Sequence, residues 1–393
     1  MKRLFFLIFL FNCAYGQIKI GFPVSLNFGN IPSPDQLLLT TYKSNLFIGG
    51  VYDYYKNETV ANIDGSISMH LNMHTTTDSL QTLRVFQVDE TGKASALDSL
   101  KFNPKFSIKY FSKPTSHGFL IYSAENYLFG KQESFLDELN KGRYKLVANL
   151  NGFSPVAIAE EHKNLIIIGN KYSNKKTLVF IRLNENGEKY DSAEINYLSL
   201  PGDYLSCFTK KEIYIASNGC VAYDGILCPS FGFHLFSIDK KSKLKNDLLL
   251  DDSVIHFEPR NIDAKGQHVI LEGLVYHKDN LFDKNKKRQL RCITNNSVKW
   301  SYEIPEGYNI ISLKFINKTN IVAFAEVFDK QWSQIKSYHL IHLDKTGKFR
   351  SDIELRWLKT ERLNGKIVFL NNEHIFLYGK NIFNNPTFAR ITL

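Results

Sequence analysis

Residues 164–195 read NLIIIGNKYSNKKTLVFIRLNENGEKYDSAEI. Leu165 to Ile168 is an unbroken apolar run of strand length, which suits a strand buried on both faces. The run stops at Gly169, and an aromatic residue, Tyr172, follows three positions later. Thr177 to Leu183 is a second strand-like run. It leads into Asn184-Glu185-Asn186-Gly187-Glu188, where an Asn side chain can bond the backbone two residues on and a Gly can take positive φ; together these mark a tight bulged hairpin. A last strand running to Ile195 completes the unit.

The same marks recur along the chain. Apolar runs equivalent to Leu165–Ile168 begin at Leu46, Phe119, Ile213, Val269, Ile321 and Ile375, roughly 45 to 56 residues apart after one wider first interval, a period expected of propeller blades. With the starting segment the count is seven, which predicts an all-β, single-domain, seven-bladed β-propeller over residues 17–393, with six or eight blades as the alternative. A small residue followed three positions later by an aromatic recurs as Gly49 and Tyr52, Ala124 and Tyr127, Gly273 and Tyr276, and Ala325 and Phe328. Small residues belong where neighbouring backbones converge. The hairpin recurs as Val88-Asp89-Glu90-Thr91-Gly92-Lys93 and Leu343-Asp344-Lys345-Thr346-Gly347-Lys348, with degenerate copies at Ile238–Ser242 and Ile293–Ser297. Each turn offers too few carboxylates for the six to eight oxygen ligands of calcium, so turn chemistry explains the acidic residues.

A buried strand ending at Gly, with a later strand entering an Asn/Asp-Gly hairpin, resembles the delta-60 and kelch-like class of β-propeller repeats. The resemblance covers about half of each blade. It implies the fold and a secreted, modular setting, and carries no catalytic residues with it. Phe129 to Arg143 departs from the pattern: the hairpin mark is missing there, and a short helix is expected. The final unit, ending at Thr387 to Leu393, is one strand short, while Ile18 to Asn27 is strand-like. The two ends are therefore expected to pair and close the ring, removing an open edge that invites aggregation.

Lys2 and Arg3 precede an apolar stretch from Leu4 to Phe11, and small residues stand at Ala14 and Gly16. This is the pattern of a secretory signal peptide over residues 1–16, with Gln17 as the first mature residue and a secreted, periplasmic or extracellular location. Asn12 before Cys13 is too large and polar for a lipoprotein box. Of the 393 residues, 44% are hydrophobic and 22% charged, which excludes wholesale disorder, and no apolar run approaches the ~20 residues of a membrane span. The net charge of +10 suggests acidic partners. The lysine clusters at Lys240–Lys245 and Lys284–Arg291 nevertheless read as solvated hairpin turns, and neither a recognition helix nor a stacking platform for nucleic acid accompanies them.

Four cysteines follow the leader: Cys207, Cys220, Cys228 and Cys292. Cys220 and Cys228 bracket one connection and are the expected disulfide in an oxidising compartment, whereas Cys207 and Cys292 are expected as buried thiols in different blades. Their spacing does not suit zinc. His70 and His74 are four apart, but on a strand they stand about 13 Å from each other, too far to chelate a metal. No metal and no cofactor is expected. No nucleophile elbow, phosphate loop or dinucleotide fingerprint occurs. The enzyme reading therefore rests on Glu125, Glu272 and Glu326, near the ends of equivalent strands, where a pair would serve as acid and base on a glycoside; charged residues at blade rims are ordinarily just solvated.

The connections that follow the small-x-x-aromatic mark, Asp53–Ser79, Phe129–Arg143, Asn218–Ser230 and His277–Lys287, are the longest and least alike. In a propeller they emerge together on one face, and function favours variable loops on a rigid scaffold. The expected site is therefore Tyr52, Tyr172, Tyr276 and Phe328 with the loops beyond them. The competing reading packs these rings between blades. The chain reads as an exported, monomeric binding or protein-interaction module with a protein or glycan ligand. The alternative is a secreted carbohydrate-active hydrolase or lyase using the rim carboxylates.

Overall fold

A run such as Leu165–Ile168 holds as a strand where both of its faces meet apolar partners, and the computed structural model supplies them. Leu165 and Ile167 point into one core with Tyr122, Leu136 and Val147. Ile166 and Ile168 point into another with Ile213, Ile215 and Phe236. All four side chains are buried, each contributing about 1.5–3 kcal/mol of transfer free energy. The continuous apolar pattern is thus the signature of a sheet packed between two other sheets.

The structure describes residues 19–20, 24–28, 36–42, 45–52, 58–61, 67–70, 81–89, 91, 93–102, 106–112, 117–125, 133–141, 143–161, 163–171, 177–195, 197–221, 232–239, 244–278, 286–316, 320–329, 334–356, 358, 366–369, 375–380 and 386–392. Six sheets are four-stranded antiparallel meanders. Blade 1 holds Gln36–Tyr42, Asn45–Tyr52, Gln81–Val88 and Ala94–Phe102, with a small hairpin of Glu58–Ala61 and Ile67–His70 between its second and third strands. Blade 2 holds Phe106–Ser112, Phe119–Glu125, Ser134–Asn140 and Arg143–Asn149, and blade 3 holds Phe153–Glu161, Asn164–Lys171, Thr177–Leu183 and Lys189–Ile195. Blade 4 comprises Tyr197–Phe208, Glu212–Val221, Gly232–Asp239 and Leu244–Leu249. Blade 5 comprises Ile255–Lys265, His268–His277, Lys287–Thr294 and Ser297–Glu303, and blade 6 Tyr308–Phe315, Asn320–Phe328, Ile335–Asp344 and Phe349–Glu354. In every blade the apolar run picked out from the sequence is the second strand. First strands lie against each other between blades 1 and 2, 3 and 4, 4 and 5, and 5 and 6, which sets them on the inner side of a ring. The fold is an all-β propeller with six complete blades.

Seven equal blades are not what the chain forms. The last unit supplies only three strands, Lys366–Phe369, Ile375–Lys380 and Pro386–Thr392, and this composite sheet takes Lys19–Ile20 and Val24–Ser25 as further partners of Pro386–Thr392. Its first strand contacts the first strands of blades 6 and 1. Leu26 and Phe28 are buried just beyond; Phe28 meets Phe86 of blade 1 edge-on at 5.1 Å, and the Ala94 N–H donates to the Asn27 carbonyl at 2.8 Å.

The hairpins follow their turn residues. Oδ1 of Asp89, Asn184 and Asp344 each accepts the backbone N–H groups two and four residues on, at 2.8–3.1 Å. Gly187 and Gly347 take φ of +84° and +80°, and both pack tightly: a Cβ at Gly187 would meet the Val147 carbonyl, and one at Gly347 the Trp300 ring. The hairpins of blades 3 and 6 thus lock against the outer strands of blades 2 and 5. The short helix expected within Phe129–Arg143 is replaced by two strands joined at Lys141, whose φ of 51° lets Asn140 pair directly with Arg143. The turn there needs only two residues, too few to leave the longer mark. One repeated feature escaped the sequence reading altogether. Leu150, Leu250, Ile304 and Leu355, just past the outer strands, are buried and donate their N–H back to the third strands.

Candidate binding site on the long-connection face

The meander puts the connections after the second strands, together with those entering each new blade, at one end of the barrel of sheets. Tyr276 stands there, directly opposite His256 in the register of blade 5. Asp251, whose side chain is fully buried, accepts from His256 Nδ1 at 2.7 Å and from the backbone N–H groups of Phe257 and Phe233 at 2.8 and 3.3 Å. The imidazole so fixed lies 5.4 Å from the Tyr276 ring and edge-on to Phe233 at 6.3 Å. Lys286 Nζ sits 4.3 Å above the Tyr276 ring. Burial, and then the carboxylate of Glu258, push the Tyr276 hydroxyl up to about 12. Glu258 also pairs with Arg260. Tyr276 and Phe233 are themselves buried, each 9% exposed, so the result is an aromatic cluster packed between blades 4 and 5 with a cation over it.

The other expected site residues have different surroundings. Phe328 ends the equivalent strand of blade 6, half-buried, its N–H donating to the Gly307 carbonyl at 2.8 Å. Tyr52 ends the second strand of blade 1, opposite Thr82. Tyr172, His74 and Cys228 lie outside the described residues; His70 falls in the small hairpin of blade 1, and Cys220 pairs with Leu198 in blade 4. Cys207 and Cys292 are buried free thiols, as expected, and burial pushes Cys292 up to about 11. Among the described residues no group of three His, Cys, Asp or Glu could hold a metal ion, and no helix is long and apolar enough to cross a membrane.

Of the expected rim carboxylates, Glu272 and Glu326 do not converge. Glu272 is wholly buried: Arg288 NH1 donates to its Oε1 at 3.0 Å and Asn261 Nδ2 to its Oε2 at 2.9 Å, while Asn261 also reaches the Ile310 carbonyl of blade 6. Burial still raises its carboxyl above the usual range. Glu326, 5% exposed, accepts from Asn309 Nδ2 at 2.9 Å. Side chains alternate along a strand. Glu272 therefore shares the side of Ile270, facing blade 6, and Glu326 the side of Phe324, facing away from blade 5. The expectation of solvated rim charges is corrected on the same ground. Arg288 is drawn into that buried pair, and Arg291 lies 4.1 Å over the Phe257 ring with NH1 on the Leu250 carbonyl, so part of Lys284–Arg291 braces blades and does not form a solvated turn.

At the opposite, short-hairpin end, a cavity of about 260 Å³ opens between blades 4 and 5, lined by Tyr214, Ser237, Asn246, Gln267 and Asn296.

These features define a β-propeller with a buried aromatic cluster, Lys286 beside it, toward its long-connection end. No protein-family model and no curated protein matches the chain, so no family, kelch-like or other, is assigned. Among solved structures it is similar to the β-propeller domain of the trilobed protease from Pyrococcus furiosus, at 10% identity and a TM-score of 0.50 over 90% of this chain and 94% of that one. It is also similar to an oligogalacturonate lyase from Vibrio parahaemolyticus, with 11% identity, TM-score 0.47, 95% of this chain and 98% of that one. A third is the WD40 domain of SCAP from fission yeast, with 9% identity, TM-score 0.38, 96% of this chain and 98% of that one. At 10% identity the likeness to the first of these is one of fold.

Proposed function

We infer that the protein is an exported binding module whose long-connection face, centred on Tyr276, His256, Phe233 and Lys286, receives an acidic glycan. The observation that carries this reading is Lys286 held 4.3 Å over the Tyr276 ring beside a second, Asp-anchored ring. In this reading Lys286 offers a positive charge for a carboxylate or sulfate, and the accessible edge of the ring cluster offers a contact for the sugar. A cation–aromatic contact of this kind contributes about 0.5–2 kcal/mol. The net charge of +10 favours the same class of ligand by steering. In this reading residues 1–16 direct export, and the composite sheet closes the ring beside the six blades, fastened by Lys19–Ile20 and Val24–Ser25 through their pairing with Pro386–Thr392 and by the contact of Phe28 with Phe86.

Titration of the protein with a heparin-derived hexasaccharide and with a neutral dextran oligosaccharide tests it. Binding of the first, weakening as salt rises, with no binding of the second, is the expected result. Equal binding of both, or of neither, contradicts it.

A further inference from the structure

Blade 6 carries a second polar cluster, with no part in the binding surface above. Ser337 and His339 alternate on its third strand, with Ser337 Oγ 2.9 Å from His339 Nε2. The other ring nitrogen, Nδ1, is 2.8 Å from Asp352 Oδ1 on the outer strand. The Tyr308 hydroxyl donates to Asp352 Oδ2 at 2.7 Å, and its ring meets the imidazole edge-on at 5.3 Å, so both carboxylate oxygens and the ring plane are fixed. With the carboxylate at Nδ1, the proton of a neutral imidazole stays on Nδ1. Nε2 is then an acceptor, and Ser337 is the donor to it. The side chains of His339 and Asp352 are 17% and 26% exposed, screened from bulk water yet within reach from the long-connection face, since Ser337 lies close after the connection 329–334.

An internal comparison isolates the serine. In blade 4, His234 Nδ1 is 2.8 Å from Asp247 Oδ1, at the matching register: His234 is opposite Leu249, and His339 is opposite Glu354. The His–Asp pair is therefore a repeated strut between third and outer strands. Two residues before the histidine, blade 4 has Gly232 where blade 6 has Ser337. The hydroxyl is what blade 6 adds to the strut.

We propose that Ser337 is a nucleophile toward carboxylic esters, with His339 as its general base and Asp352 as the positioning residue that holds the imidazole. The Ser337 Oγ–H bond breaks as its proton passes to Nε2, and Oγ bonds to the acyl carbon. The ester C–O bond then breaks, its electron pair leaving on the alcohol oxygen, which takes the proton from Nε2. Water completes the cycle: it gives one proton to Nε2 and its hydroxyl to the acyl carbon, the Oγ–acyl bond breaks, Oγ regains the proton, and a carboxylic acid departs. This proposal does not depend on the glycan reading.

The test is covalent labelling of the full chain with a fluorophosphonate, read by intact mass and peptide mapping. The expected result is one adduct, on Ser337. It is absent in Ser337→Ala, slowed on the order of 100-fold in His339→Ala, and unchanged in His234→Ala. His339→Gln, which keeps a polar side chain of similar size without a base, should slow labelling to the same extent, a readout that holds even where His339→Ala loses the fold. No adduct, an adduct elsewhere, or an unchanged rate in folded His339→Ala or His339→Gln would each overturn the proposal and leave the cluster as a second strut.

Discussion

Leu165 and Ile166 are adjacent in one strand yet belong to different cores, Leu165 to the layer shared with blade 2 and Ile166 to the layer shared with blade 4. Each blade is held by two such layers, so a truncation in one second strand loosens a whole interface. Ile167→Ala and Ile166→Ala should each cost about 2–5 kcal/mol, read from denaturant unfolding. A loss under about 1 kcal/mol for both would contradict burial on two faces.

Asp137 faces Tyr144 across blade 2, and the tyrosine hydroxyl donates to its Oδ1 at 2.8 Å. Burial pushes this carboxyl up to about 6, with the tyrosine bond pulling the other way. A carboxyl raised in the folded state favours folding when protonated. Its destabilising effect is therefore absent below about 4, the unfolded value, and grows as pH rises to about 6. Asp137→Asn should raise stability at pH 7 by about 1–2 kcal/mol, discounted for partial solvent access, and flatten that part of the pH profile. An Asn variant less stable at pH 7 contradicts the account.

Asp344 works in the opposite sense. Burial pushes its carboxyl up, but the hydroxyl and amide of Thr346, the Lys348 amide and Arg350 together hold it down to about 2. Its contribution is present above about 4 and is lost as pH falls toward 2. In the same turn, Gly347→Ala sets a Cβ against Trp300 at positive φ and should lower stability by about 1–3 kcal/mol. The Trp300 Nε1–H, which donates to the Lys345 carbonyl at 2.7 Å, should lose that bond, giving a shift in tryptophan emission. Unchanged emission and melting would mean that the turn does not lock against blade 5.

These contrasts show what was legible in the chain before its structure. The turns at Asp89, Asn184 and Asp344 could be read because donor and acceptor lie within four residues. The second strands could be read because burial on two faces writes a continuous apolar run. Glu272 was read as a rim charge because its partner Arg288 is 16 residues away on another strand, and the Asp352 that orients His339 is 13 residues off. Such pairs depend on register, which no local pattern displays. Asp251 and His256 lie only five apart, and their Asp-x4-His spacing was the one local hint of the aromatic cluster around Tyr276.

Phe28 carries the N-terminal segment onto blade 1. Phe28→Ala should lower the melting temperature, at a cost of about 2–5 kcal/mol, and expose the free edge of the composite sheet to association, read by light scattering. A variant that melts unchanged and stays monomeric would show that the segment does not fasten the ring.

The binding surface is tested most directly by calorimetric titration of the heparin-derived hexasaccharide into Lys286→Ala and Tyr276→Ala, each with its melting temperature measured alongside. The account predicts that Lys286→Ala binds about 3- to 30-fold more weakly, the loss of one cation–aromatic contact, while melting within a degree or two of the unsubstituted protein; Tyr276→Ala should weaken binding at least as much per folded molecule. Affinity unchanged in both, with Tyr276→Ala only lowering the melting temperature, would contradict the account and return the ring to the packing between blades 4 and 5.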